Sequence, residues 1–239
     1  MIKPVEIKCT GYSIAADWYE GANTDRILLV LPGYSSTKAR QSELTTAIVE
    51  RIGISALVID YSGHGESPFE LKDTRPAQHF LEVITSFDLI KTKYPQARVS
   101  VTGSSYGGFL ATQLTKYREF EKLVLRAPAI YKPDTFYDLW AVRLANVEAY
   151  QEKNQPYRHD SEALKKHPLL ARASNFKGKT LVVVHENDEL IPRETTQAYI
   201  DAFNADSFVA PGFMHSVNQS SVTPQQLMGY QNRIADWLK

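Results

Sequence analysis

Residues 103–108 read Gly103-Ser104-Ser105-Tyr106-Gly107-Gly108 and follow directly on a β-branched run at 98–102. A hydroxyl nucleophile held in a sharp strand-to-helix turn needs glycine two positions before and two positions after it, because side chains there would collide within the turn. Ser105 satisfies that spacing. Ser104, flanked at the same distance by Thr102 and Tyr106, does not. The helix expected after the turn puts the Tyr106 N–H at its N-terminus, where amides and the helix dipole favour developing negative charge. The chemistry this pattern suits is attack on an acyl carbon.

A serine hydroxyl is a weak nucleophile near neutral pH. It needs an imidazole to take its proton and a carboxylate to orient that imidazole. Where the nucleophile sits in a strand–turn–helix, the expected chain order is serine, acid, histidine. Of the six histidines, only His185 and His215 lie beyond residue 176. His215, in Pro211-Gly212-Phe213-Met214-His215-Ser216, falls between the last strand-like run and the last helical one, where the base belongs. For the acid, the run from His185 to Pro192 offers Glu186, Asp188 and Glu189. Asp188 is the choice, because the turn would aim a short carboxylate back at the site while the two glutamates face solvent. Asp134, after the preceding strand, is the alternative. A second amide for a developing oxyanion is assigned to Tyr34, where Gly33 allows close backbone approach and the Tyr34 ring would line the acyl pocket.

The elements that must carry these residues alternate along the chain. Apolar runs at 26–31, 55–59, 98–102, 122–125, 180–184 and, more weakly, 207–209 are separated by helical spacing at 39–51, 76–93, 106–117, 193–203 and 224–238. That alternation predicts an α/β fold with a mainly parallel sheet covered by helices on both faces. Runs at 5–9 and 12–18, joined by Thr10-Gly11, predict an antiparallel hairpin at one edge. Residues 131–176 break the pattern and are too long for an ordinary connection, so they are expected to form a small helical cap, with a mobile surface excursion as the plainer alternative. Within it, Tyr131, Phe136, Tyr137 and Trp140, with Tyr150 and Tyr157, are candidates to line an apolar or aromatic acyl site; plain packing of cap helices is the competing reading.

Together with Tyr61-Ser62-Gly63-His64-Gly65-Glu66-Ser67, these motifs resemble the α/β-hydrolase superfamily over nearly the whole chain. The likeness is greatest to small capped carboxylesterases, a group that includes cinnamoyl and feruloyl esterases and relatives filed with serine aminopeptidases. The resemblance implies an eight-stranded sheet, a Ser105–Asp188–His215 triad and oxyanion amides from Tyr34 and Tyr106. Two positions depart from it: Pro32 stands where many members have histidine, and His185 where glycine usually opens the acid loop. His64 is read as a structural turn residue, since no second ligand stands at metal spacing. His79, His159 and His167 are read as surface residues.

Bulk properties bound the reading. At 239 residues and 43% hydrophobic, one domain is expected, residues 1–239 with the cap inserted. Lys plus Arg (27) equals Asp plus Glu (27), so no net field attracts nucleic acid or an anionic membrane. The first ten residues lack a signal-peptide apolar run, and Cys9 is the single cysteine, which suits a cytoplasmic protein. The expectation is a serine hydrolase acting on a small-molecule ester, with no cofactor and no metal, and with a homodimer left open. A thioesterase, a short-peptide peptidase and a carbon–carbon hydrolase would use the same residues, and a non-catalytic small-ligand binder would keep the same fold.

Overall fold

The computed structural model describes residues 1–145, 147, 155–217 and 222–239. Eight strands form one sheet: β1 (Ile2–Lys8), β2 (Ser13–Tyr19), β3 (Arg26–Leu31), β4 (Ser55–Ile59), β5 (Arg98–Ser104), β6 (Lys122–Arg126), β7 (Lys179–Asn187) and β8 (Asp206–Met214). Their order across the sheet is β1-β2-β4-β3-β5-β6-β7-β8. β2 is antiparallel to both neighbours and all other pairs are parallel. This is the α/β-hydrolase arrangement that the resemblance implies.

Side chains alternate across each strand, so a strand buried on both faces must be apolar at every position. In β3, Leu29 and Leu31 face one core with Val101 and Leu125, while Leu28 and Val30 face the other with Val124 and Val183. The first core is covered by α2 (Pro76–Lys93), α3 (Tyr106–Leu114) and α4 (Arg193–Phe203), through residues such as Phe80, Phe109 and Tyr199. The second is covered by α1 (Ser42–Ile52) and α5 (Pro224–Leu238), through Ile48, Tyr230 and Ile234. Proline stands in the first turn of both α2 and α5, where its missing N–H costs nothing. Thr223 and Gln226 close a reciprocal capping box on α5.

The hairpin sits at the sheet edge as expected, with a longer connection than two residues: Lys8 pairs with Ser13, and Cys9 N–H donates to the Tyr12 carbonyl (2.8 Å). β8 runs nine residues instead of the expected three. Pro211-Gly212 reads as loop in sequence, but β8 is an edge strand, and an edge tolerates proline on its unpaired side. Between β6 and β7 the described part of the inserted segment contains only short pieces, including helical turns at Trp140–Leu144 and Ser161–Lys165.

Gly229 lies in the exposed middle of α5 with nothing within 4 Å of a built Cβ. Gly229→Ala is therefore expected to raise unfolding free energy by about 1 kcal/mol. Urea denaturation of the two proteins checks this.

Candidate active site

The central strand β5 ends in a strained turn. Ser105, the N-cap of α3, has φ 49° and ψ −112°. A non-glycine residue there costs on the order of 1–3 kcal/mol and persists only when its surroundings hold it. Both of its backbone groups are so held. Ser105 N–H donates to the Arg126 carbonyl (2.9 Å), and its carbonyl accepts from Phe109 N–H (3.2 Å) and Ala129 N–H (3.0 Å). The flanking glycines follow from contact: a methyl on Gly103 would fall on the Gly107 carbonyl, and one on Gly107 on the Leu31 and Pro32 carbonyls.

Ser105, His215 and Asp188 come together from three separate stretches. His215 Nε2 lies 2.9 Å from Ser105 Oγ, and Nδ1 lies 2.9 Å and 3.0 Å from the two Asp188 carboxylate oxygens. The Asp188 side chain is 4% exposed and that of His215 is 12% exposed. Burial pushes the Asp188 carboxyl up. The His215 ring and the amides of Leu190 (2.9 Å) and Ile191 (2.8 Å) outweigh it, leaving the carboxyl below its ordinary 3.8. An ionised Asp188 accepts the proton on Nδ1 and leaves the Nε2 lone pair facing the serine hydroxyl. Asp134, the alternative acid, is exposed on the inserted segment and makes no contact with His215.

The loop that carries His215 is fastened to the β7 end. Glu186 accepts from Gly212 N–H (2.8 Å) and Glu189 accepts from His215 N–H (3.1 Å). Both glutamates are exposed, as expected, yet neither merely faces solvent. His185 is buried and its Nδ1 pairs with the Met214 carbonyl (2.8 Å), one residue before His215. Where a glycine would have left this loop loose, the imidazole ties it down. Burial pushes the His185 ring down to about 4.

Tyr34 and Tyr106 flank Ser105. A Cβ on Gly33 would lie 3.6 Å from that of Ser105, so the loop passes in van der Waals contact with the serine. The Tyr106 amide opens α3, where helix N–H groups have no intrahelical acceptor. Two buried imidazoles brace this region. His64 accepts from Ser35 N–H (3.1 Å) through Nε2, with Nδ1 on the Ser62 carbonyl (3.2 Å), fixing a turn in which Ser35 has φ 54°. His79 bridges the Tyr106 hydroxyl (2.9 Å) and the Ser62 carbonyl (2.9 Å). Reading His79 and His167 as surface residues is corrected here, since both are buried. His79 shares the inward stripe of α2 with Val83 and Ile90, a periodicity that its polarity concealed. His167 pairs with the Tyr131 carbonyl (2.8 Å). His159 is exposed beside Glu194.

Ser105 and His215 open into a cavity of about 200 Å³, lined also by Tyr34, Gln41, Arg126 and Tyr230. Among the described residues, the candidate acyl-site aromatics of the inserted segment do not line it. Tyr131 and Trp140 are buried as packing: Trp140 lies on Tyr34 (4.5 Å between ring centroids) with the Arg143 guanidinium over the Trp140 ring (4.2 Å to its centroid), and Tyr131 packs on Phe109 (5.1 Å). Phe136 packs against Phe80 and Phe109, and Tyr137 is 71% exposed. Tyr157 packs on His167, and Tyr150 lies outside the described residues. Among the described residues, Tyr34 is the one expected pocket aromatic that reaches the cavity. A larger groove, about 1150 Å³, lies at the opposite strand ends beside Arg98, Lys122 and Lys179, away from the Ser105–His215 pair. Among the described residues no cluster of three or more His, Cys, Asp or Glu is placed to hold a metal ion, and no helix is long and apolar enough to cross a membrane.

Residues 22–168 match the family described as serine aminopeptidase, S33. The chain belongs to that family. The matched stretch holds Gly33, Tyr34 and the whole turn around Ser105, while Asp188 and His215 lie beyond it. An uncharacterized protein of Mycobacterium tuberculosis is 26% identical over 197 residues, which is 79% of this chain and 62% of that protein. The chain thus spans about three fifths of the length of the curated relatives it matches. Among solved structures, the Pyrococcus furiosus esterase Pf2001 superposes with a TM-score of 0.72 at 20% identity, covering 100% of this chain and 91% of that one. Est1E of Butyrivibrio proteoclasticus, with ferulic acid bound, gives 0.72 at 16% identity over 98% and 97% of the two chains. At such identities these likenesses concern the fold alone. Family membership and sheet order agree on the α/β-hydrolase fold.

The buried imidazoles carry a pH dependence. His79, driven to about 3 mainly by burial, stays neutral in the fold while the unfolded chain binds a proton near 6.5. The unfolded state then holds more protons, so this contribution to stability is complete above about pH 6.5 and is lost as pH falls toward 3. Asp60 and Glu82, raised by burial, act in the opposite sense, so the difference between wild type and His79→Gln isolates the imidazole. That difference should move against the wild type by about 1.4 kcal/mol per pH unit below 6.5. Urea titrations from pH 7 to 4.5 read it, and parallel curves would mean that His79 protonates freely.

Proposed function

We propose that this S33-family chain is a serine esterase that cleaves small carboxylic esters through an acyl-enzyme on Ser105, with His215 as base and Asp188 as the acid of a triad. The observation that carries the reading is the unbroken row of contacts, 2.9 Å from Ser105 Oγ to His215 Nε2 and 2.9 Å from Nδ1 to Asp188. His215 takes the hydroxyl proton as Ser105 Oγ bonds to the substrate carbonyl carbon. The oxyanion that forms faces the Tyr34 and Tyr106 amides, donors already oriented in a turn braced by His64 and His79. The imidazolium, stabilised by Asp188, returns the proton to the departing alcohol. Water repeats the cycle with the acyl group, and every proton is accounted for without a cofactor.

A cavity of about 200 Å³ favours short acyl chains, since sites for larger ligands commonly span about 300–1,000 Å³. The inserted segment, residues 131–176, acts in this reading as a cap whose described part backs Tyr34 through Trp140. The proposed setting is the cytoplasm, where the lone Cys9 stays reduced.

A fluorophosphonate probe and p-nitrophenyl butyrate test the assignment. Wild type should be labelled and should hydrolyse the ester, Ser105→Ala should lose both, and Asp188→Asn should lower kcat by about 10,000-fold. Labelling that persists in Ser105→Ala, or near-normal turnover by Asp188→Asn, would contradict it.

A further inference from the structure

The cavity beside Ser105 is bordered by a buried charge that has no counter-charge among the described residues. Arg126 ends β6, and alternation from Val124 turns its side chain to the face covered by α1 and α5. It is 5% exposed. Nη2 donates to Gln41 Oε1 (2.7 Å), the Tyr230 hydroxyl also faces the guanidinium, and Nε has no acceptor. Among the described residues no carboxylate forms an ion pair with it. Asp188 is committed to His215, and the other charges bordering the cavity, Arg40 and Glu43, are exposed at its rim.

A guanidinium taken out of water with only an amide oxygen and a phenol hydroxyl for company is an expensive arrangement unless an anion completes it. Packing does not require it, since an apolar residue after Val124 would extend the α1/α5 core. The cation instead borders the space in which a substrate of Ser105 must sit. We propose that the substrate carries a carboxylate, which docks on Arg126 while its ester is presented to Ser105. This rests on the esterase reading above and narrows its substrate class. The planar fork of arginine suits a carboxylate, and the Arg126 guanidinium borders the cavity that Ser105 faces. Gln41 links the site to the oxyanion loop, because its Nε2 donates to Ser36 Oγ (3.3 Å). An N-terminal ammonium group would meet the same guanidinium as repulsion, so aminoacyl substrates are disfavoured.

The test compares p-nitrophenyl butyrate with the mono-p-nitrophenyl ester of glutaric acid, and phenyl acetate with 4-acetoxybenzoate, which places a carboxylate on either side of the scissile bond. In wild type, kcat/KM for one of the two anionic substrates should exceed that of its neutral partner about tenfold or more. Arg126→Met should collapse that ratio to near one, and Arg126→Lys should retain part of it. Equal turnover of both pairs in wild type, or a ratio unchanged in Arg126→Met, overturns the proposal. A measurement independent of variant folding is competitive inhibition of wild-type p-nitrophenyl butyrate hydrolysis by glutarate. Inhibition by inorganic phosphate and not by glutarate overturns the carboxylate assignment. Should no ester be hydrolysed and Ser105 resist the fluorophosphonate probe, the esterase reading itself fails; chemical-shift titration of the folded wild type with glutarate then still decides the Arg126 site, by binding or by its absence. Ester hydrolysis with Ser105 labelled and no anion preference removes only this inference.

Discussion

The left-handed backbone of Ser105 is the constraint around which the rest is arranged. A sheet of parallel strands is stable without such a turn, and a helix can start without one. Here β5 stops at the centre of the sheet and α3 begins one residue later. The junction survives because β6 lends a carbonyl to the Ser105 amide and the chain after β6 returns an N–H to its carbonyl. Those hydrogen bonds join the serine to the strand whose last side chain is Arg126. The same piece of chain therefore locks the proposed nucleophile and lines the cavity it faces.

Around that turn, the protein uses histidine as a neutral bracket. His64, His79 and His185 each engage backbone or hydroxyl groups through both ring nitrogens and are buried. Burial holds all three below the ordinary imidazole range, so they keep one donor and one acceptor apiece in an interior that would not tolerate the charged form. His64 and His79 brace the two stretches that flank Ser105 from one side, and His185 braces the His215 loop from the other. His215 differs in having a carboxylate, that of Asp188, at Nδ1.

Much of this was legible in the sequence where local rules govern. Buried strands such as β3 and β4 announce themselves as unbroken apolar runs, and Pro76 and Pro224 mark helix starts. Ser105 was visible because steric demand leaves only glycine on both sides of it. His215 and Asp188 were visible through chain order, and their meeting depends on β7 and β8 lying side by side. What stayed hidden depends on packing between distant segments. His79 looked like a surface residue because a polar side chain on an inward stripe is satisfied only by Tyr106 and Ser62, from elsewhere in the chain. The aromatics of the inserted segment suggested a pocket lining, yet Trp140 and Tyr131 meet Tyr34 and Phe109 in a packed layer. Arg126 gave no sequence signal, since a charge at a strand end is ordinary until the strand is seen to be central and its tip buried.

The proposed activity depends on covalent chemistry at one oxygen atom, Ser105 Oγ. The most direct measurement is mass spectrometry of the protein acid-quenched during turnover of p-nitrophenyl acetate, followed by peptide mapping. An acetyl group on the peptide that contains Ser105, absent from Ser105→Ala, is the predicted result. Sustained turnover with that peptide unmodified, or with the acetyl group on another residue, would contradict it.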